Sequence, residues 1–378
     1  MSQIKNPLKK ILELTQSQWD HPGTPDHVRD NFRKVLMCRT PALGGEEYGS
    51  AAARKIFYHT CKGKCCPTCG GWGTTLWQRE QWVALPNIPW VGIVLTMPHV
   101  FWPVFKAHPD LEHDLPALGA AVVQDWAWKQ YRARLYGIVI LHTFGGYLNH
   151  YPHLHMMVSA DGLNPIECRW VRSLKFEPKE IRELWRFAVT SYLYKAHRDG
   201  LLQQSAIPEE FNDVILGKVR CYWNIHITLR MSKFHFLEYA GRYIRRLPIS
   251  QKNILAVSEQ EVVYLAKDTR EKAHVEVRNT PGEFVAILAQ HILDRYKHSM
   301  RYFGLLAPRT KRITSAGVFA LLGQQPRPKP QRPRWAEEMK KRFGVDPLVD
   351  EFGNPMRWIG RVQPVDGDAQ QTPEPGNQ

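Results

Sequence analysis

Two short stretches carry residue types and spacings suited to phosphate chemistry. In HYPHLHMMVSADG (150–162) His153 and His155 are two residues apart, and in LEYAGRYIRR (237–246) Tyr239 and Tyr243 are four apart. Side chains alternate along a strand, so two histidines at i and i+2 leave the same face about 7 Å apart at Cα and can converge on one ion. On a helix, i and i+4 share a face, which brings the two phenols together beside Arg242, Arg245 and Arg246. A phenol is a poor nucleophile near neutrality because its pKa is about 10, and a divalent cation polarising a phosphate offsets that weakness. Each motif alone is open to a structural reading: sixteen histidines make an H-x-H common, and an aromatic pair is usual in a core. Together they describe a nucleophile and a metal.

A third ligand must come from a neighbouring strand. YGIVILHTFGG, just upstream, reads as a strand paired with the His153 strand in an antiparallel hairpin. It carries His142, with Asn149 and His150 in the connection, and His142 is our choice for the third ligand.

The cysteines suggest a second metal. Seven in number, they include Cys61, Cys65, Cys66 and Cys69 within CKGKCCPTCG. An odd count with a C-x-x-C knuckle argues for structural zinc over a disulfide framework. Zinc takes about four soft ligands; Cys61, Cys66 and Cys69 supply three, and Cys38, His59 or Cys65 is the fourth.

Fifty-one Lys and Arg against thirty-six Asp and Glu give a net charge of +15, which favours a polyanionic partner, nucleic acid first. RYKHSMRYFGLLAPRTKR (295–312) holds six Lys or Arg and no acid, with aromatics between them, and nominates Lys297 and Arg301 for DNA contacts. No signal peptide and no run of roughly eighteen apolar residues is present, so the reading is cytoplasmic and nucleoid-associated, with no membrane partner.

The elements that position these residues follow from periodicity. LKKILELT and TPDHVRDNFRKVL are helical, WVGIVLTM is a buried strand and LPALGAAVVQDWAWKQYRARL is a helix. A helix over 178–198, a strand in KVRCYWNIHITL and a helix in FHFLEYAGRYIRR come next. Strands over 253–278 precede a helix in PGEFVAILAQHILDRY, with Pro281 in its first turn. The fold class is α+β, an antiparallel sheet with flanking helices plus a small N-terminal Cys-rich module. The expected division is 1–80 helical lead-in and zinc-binding module, 85–250 catalytic core, 251–323 its C-terminal part, and 324–378 a Pro/Arg-rich linker and largely disordered tail ending in DGDAQQTPEPGNQ.

HTFGGYLNHYPHLHMMVSADGL, YAGRYIRRLPIS and HSMRYFGLLAP resemble the two-tyrosine HUH transposases of the insertion sequence 91 family. CRTPALGG and YHTCKGKCCPTCG resemble that family's N-terminal zinc-binding region. The resemblance is collinear over roughly residues 10–315. It implies an HUH endonuclease fold whose central strand carries His153 and His155 as ligands of Mg²⁺ or Mn²⁺, and Tyr239 and Tyr243 as nucleophiles. It further implies rolling-circle-type transposition, with single-stranded DNA at element ends and target as substrate and 5′-phosphotyrosine as intermediate. The chain departs from the family in having GGEEYGSAAARKIFYHTC where relatives often carry a further C-x-x-C, and Cys65 where they often carry His. Competing readings are a plasmid replication initiator or relaxase-like nicking enzyme, a non-catalytic zinc-dependent DNA-binding protein, and a phosphoesterase that uses water.

Overall fold

The structure, a computed structural model, describes residues 6–244, 247–268, 271, 273–328 and 334–365. Its centre is a five-stranded antiparallel sheet built from β1 (Trp90–Leu95), β2 (Tyr136–Phe144), β3 (His150–Ser159), β4 (Ile225–Ile227) and β5 (Met300–Gly304), in the order β5-β2-β3-β1-β4. The expected α+β class is found, and β3 is the middle strand. It carries His153 and His155.

Both faces of the sheet are covered, which explains why β1, β2 and β3 are nearly continuous apolar runs. Leu154, Met156 and Val158 of β3, with Val139 and Leu141 of β2, face a core completed by Trp126 and Trp185. Those tryptophans belong to α2 (Pro109–Tyr131) and α3 (Pro178–Arg198). The opposite face carries the histidines, Met157, Ile138, Ile140 and Trp90, and receives α4 (Lys233–Gly241) through Phe236, Leu237 and Ala240. Phe236 lies flat on Trp90, ring centroids 4.1 Å apart. The pleat therefore sorts β3 into a core face and a functional face.

The expected hairpin of β2 and β3 is present, with His142 directly opposite His153 and Ile140 opposite His155. The strand begins earlier than expected, so His150 belongs to β3 and not to the connection. Its Nε2 meets Glu112 of α2 at 2.9 Å.

Three differences from the sequence expectations have local causes. In KVRCYWNIHITL only Ile225–Ile227 is strand, an edge that pairs with β1 alone. The tyrosine helix stops at Gly241, and i→i+3 bonds from Arg242 to Tyr239 (3.1 Å) and Tyr243 to Ala240 (2.9 Å) tighten its last turn. The expectation of a linker and disordered tail from 324 fails over 335–362. Trp335–Phe343 is a helix, and Arg357–Val362 is a strand paired with Gly45–Gly49, itself paired with Arg54–Tyr58. Trp335 stacks on Tyr48 (5.6 Å), and Arg79 reaches buried Glu338 at 3.2 Å. The apolar rings of that N-terminal sheet needed a cover, and the prolines and arginines of 324–334 hid the segment that provides it. The final DGDAQQTPEPGNQ lies outside the described residues.

The strands expected over 253–278 form a separate three-stranded sheet, and Pro281–Ala289 is the helix α5, held at its start by a Thr280/Glu283 capping box. No helix among the described residues is long and apolar enough to cross a membrane.

Candidate active site and metal centres

His142, His153 and His155 each offer a ring nitrogen within 4.8 Å of the others, and all three are buried. The pairing of His142 with His153 across β2 and β3 fixes this convergence, because opposed residues of an antiparallel pair share a face. Nε2 of His153 and Nε2 of His155 stand 3.1 Å apart. An ion with ligands at about 2.1 Å in octahedral array sets adjacent donor atoms about 3.0 Å apart. His153 and His155 are therefore spaced to share one ion.

The surroundings prepare His153 as a neutral ligand. His153 Nδ1 is 2.8 Å from the Tyr151 carbonyl, so the Nδ1–H donates there and leaves the Nε2 lone pair facing His155. Burial holds the His153 imidazole down at about 4, against the pull of that bond, so it is uncharged near neutrality. His142 Nε2 lies 3.0 Å from the backbone carbonyl of Tyr243, and a ring donating from Nε2 carries its lone pair on Nδ1. One metal-ligand candidate is thereby tied to the segment that bears a nucleophile candidate.

Tyr243 stacks on His155 with centroids 3.8 Å apart and planes 22° apart, and Tyr239 follows at 5.0 Å from Tyr243. The two phenols and three imidazoles form one cluster. Burial pushes the Tyr239 phenol up, with Tyr243 adding to the shift, while the Arg242 guanidinium, 4.9 Å above the Tyr239 ring, acts in the other direction. Tyr239 is thus a protonated phenol at neutral pH.

The second cluster joins Cys38, Cys61, Cys66 and Cys69, whose sulfurs all lie within 4.8 Å of one another. Cys38–Cys69, Cys61–Cys69 and Cys66–Cys38 are each 3.6 Å apart. A tetrahedral zinc with Zn–S of about 2.3 Å requires sulfurs about 3.8 Å apart, so this donor set fits zinc. Neighbouring thiols, Cys38 first, hold Cys69 well below the usual thiol range and push Cys61 above it. Cys38 completes the set. Cys65, although adjacent to Cys66, points away and its thiol is pushed up by burial, and His59 instead contacts Glu46 at 3.2 Å.

Residues 137–313 match the family model described as "Putative transposase", and residues 10–97 match the one described as "Transposase zinc-binding domain". The transposase for insertion sequence element IS801 from Pseudomonas savastanoi pv. phaseolicola is 29% identical, covering 80% of this chain and 77% of that protein. "Putative transposase y4qJ" of Sinorhizobium fredii is 26% identical over 85% of each. The two family models and the two relatives together support an insertion sequence 91 family transposase. No solved structure matches it.

The transposase is thus a DNA-cleaving, zinc-binding protein, and the Cys38–Cys61–Cys66–Cys69 cluster lies within the residues of its zinc-binding domain. Lys297, just ahead of β5, pairs at the surface with Asp110 at 2.7 Å, and Arg301 of β5 reaches the His113 carbonyl at 3.5 Å. Arg242 lies over Tyr239, within the active-site cluster, while Arg245 and Arg246 lie outside the described residues.

Sequence reasoning missed several residues that position the transposase's tyrosines. A Cβ on Gly92 of β1 would lie 2.9 Å from Cε1 of Tyr239 and 3.1 Å from Cγ2 of Thr228, so the missing side chain makes room for the phenol. Gly241 packs as closely on the helix α1 (Pro67–Ala84), where its Cβ would lie 2.4 Å from Gln78 Nε2. Gln78 donates to the Leu237 carbonyl at 2.9 Å. Lys233, 2% exposed, donates to the carbonyls of Trp82 (3.0 Å) and Leu85 (2.9 Å) at the other end of α1. Cys66 and Cys69 open that helix, so the zinc cluster and the nucleophile helix share one support. A glycine inside an otherwise apolar strand was the one available signal.

Proposed function

We propose that this transposase cleaves and rejoins single-stranded DNA through 5′-phosphotyrosine intermediates in rolling-circle-type transposition, as an HUH enzyme. The observation that carries the reading is the stacking of Tyr243 on His155 within the triad of His142, His153 and His155. In this reading the triad holds Mg²⁺ or Mn²⁺, which when bound withdraws electrons from the scissile phosphate. The triad and hairpin orient the phosphate side, and α4 orients the phenols. A tyrosine oxygen bonds to phosphorus as the P–O3′ bond breaks, and the phenolic proton leaves with the released 3′-hydroxyl. The 5′ end stays on tyrosine, so the bond is conserved and a 3′-hydroxyl can reverse the step without external energy. The second tyrosine is then available for another strand. The zinc module, residues 1–80, would support DNA binding beside a core over 85–250 and its C-terminal part over 251–323. The site of action is then the nucleoid.

The deciding experiment incubates the protein with Mn²⁺ and labelled single-stranded DNA carrying the element's end. An SDS-resistant adduct is expected from wild type and none from His153→Ala. Cleavage without an adduct would assign the site to water-dependent hydrolysis, and an adduct from Tyr239→Phe/Tyr243→Phe would remove both tyrosines from the chemistry.

A further inference from the structure

A cavity of about 190 Å³ opens beside the triad. Its walls come from three parts of the chain: Lys64 of the zinc module, His142 and Phe144 of β2 together with Tyr243, and Leu288 of α5 with the nearby Ser299. His142 and Tyr243 are shared with the active-site cluster, so the cavity is continuous with the place where the scissile phosphate would sit.

We propose that this cavity is a subsite for one unstacked nucleobase of the cleaved strand, immediately next to the scissile phosphate; the inference rests on the reading of the site given above. Size and chemistry point to that occupant. An apolar cavity of roughly 150 Å³ holds one benzene ring, so this one suits a single planar ring system and not a stack of bases. The apolar and aromatic walls suit the faces of a base and reject a phosphate or a sugar. Its polar lining includes His142, Thr143 and His291 as well as Lys64, whose ammonium donates to the Ser299 hydroxyl. A cationic donor at that position selects acceptor atoms on a base edge, as guanine presents with O6 and N7. A base withdrawn into the cavity would fix the register of the strand, and the penalty of unstacking it is met by contact with the walls.

The zinc module therefore contributes to the choice of cleavage position. Lys64 lies between Cys61 and Cys66, so the loop that carries two of the four sulfurs also presents the base-reading ammonium.

The test uses full-length protein, Mn²⁺ and the labelled element-end strand, with abasic substitutions placed one at a time around the mapped cleavage point. One flanking position is expected to lower adduct yield about tenfold, with its neighbours much less sensitive. Leu288→Trp, which fills the cavity, should lower yield on the intact strand and erase the response to the abasic site. Lys64→Ala should flatten the preference among the four bases at that position by about tenfold while still forming adduct. Should Leu288→Trp fail to fold, a 2-aminopurine at the sensitive position, bound to Tyr239→Phe/Tyr243→Phe, must brighten on binding as it leaves its neighbouring bases. Adduct formation with no sensitive position, or 2-aminopurine whose fluorescence does not rise, overturns the subsite alone. Absence of adduct from every strand overturns it together with the proposed function.

Discussion

The ring of Tyr243 lies on the ring of His155, centroids 3.8 Å apart, while Tyr239 lies one turn back over Gly92. The two tyrosines are therefore inequivalent in position, Tyr239 within α4 and Tyr243 in the tight turn just past its end. Tyr243→Phe keeps the stack and removes the hydroxyl, and Tyr239→Phe keeps the contact with Gly92. Each single change is expected to reduce adduct yield and leave it measurable on denaturing gels, and the double change should abolish it. Peptide mapping of the two residual adducts then identifies the remaining nucleophile in each. Full yield from the double variant would contradict the assignment.

Gly92→Ala tests whether the space over β1 matters to the nucleophile. The new methyl would stand 2.9 Å from the Tyr239 ring, so the phenol or the strand must move. Overpacking of this kind costs about 1–3 kcal/mol. The expected outcome is an unfolding free energy, measured in urea, lower by that amount, together with a shift of adduct from Tyr239 towards Tyr243. An unchanged distribution of adduct between the two tyrosines would show that Tyr239 does not depend on this contact.

What the sequence revealed and concealed divides along physical lines. Periodicity located β1, β2, β3, the helix over 178–198 and a helix expected over 115–135 that in fact spans Pro109–Tyr131, because those segments bury long apolar faces. The hairpin and His142 were legible for the same reason: adjacent strands joined by a short turn must pair, and pairing brings His142 opposite His153. Cys38 was only one of three options because twenty-two residues separate it from Cys61, and no local pattern encodes a contact closed by a sheet. Lys233 was invisible, since a lysine buried against helix-end carbonyls looks like any surface lysine until the helices are packed. The strand at 357–362 was hidden by composition. It adds to an edge formed three hundred residues earlier, and its own burial is slight.

The choice of Cys38 over Cys65 has a direct consequence. Cys69→Ser and Cys38→Ser are each expected to lose bound zinc by elemental analysis and to lower the melting temperature, since three thiolates alone hold the ion less well. Cys65→Ser should retain a full equivalent of zinc. Zinc loss from Cys65→Ser with retention in Cys38→Ser would reverse the ligand assignment. Chelation should also weaken adduct formation, because α1 begins at the cluster and supports α4 through Gln78.

His291 supplies a pH dependence that is separate from the metal centres. It ties α5's end to the hairpin, with Nε2 2.9 Å from the Leu148 carbonyl and Nδ1 2.9 Å from Thr143 Oγ1. With Nε2–H donating to that carbonyl, Nδ1 must accept from the threonine hydroxyl, so the ring is held neutral. Burial holds its pKa down at about 4, against the pull of the Leu148 bond. The unfolded imidazole takes up a proton near pH 6.5 and the folded one only near 4, so the unfolded state binds more protons between those values. Stability from this group is accordingly full above about pH 6.5 and is lost as pH falls towards 4, by on the order of 3 kcal/mol. His291→Gln should lower stability at pH 7 and show a shallower fall between pH 6.5 and 4 than wild type in urea melts. Parallel curves for the two proteins would mean that His291 is already charged, or solvated, in the folded state.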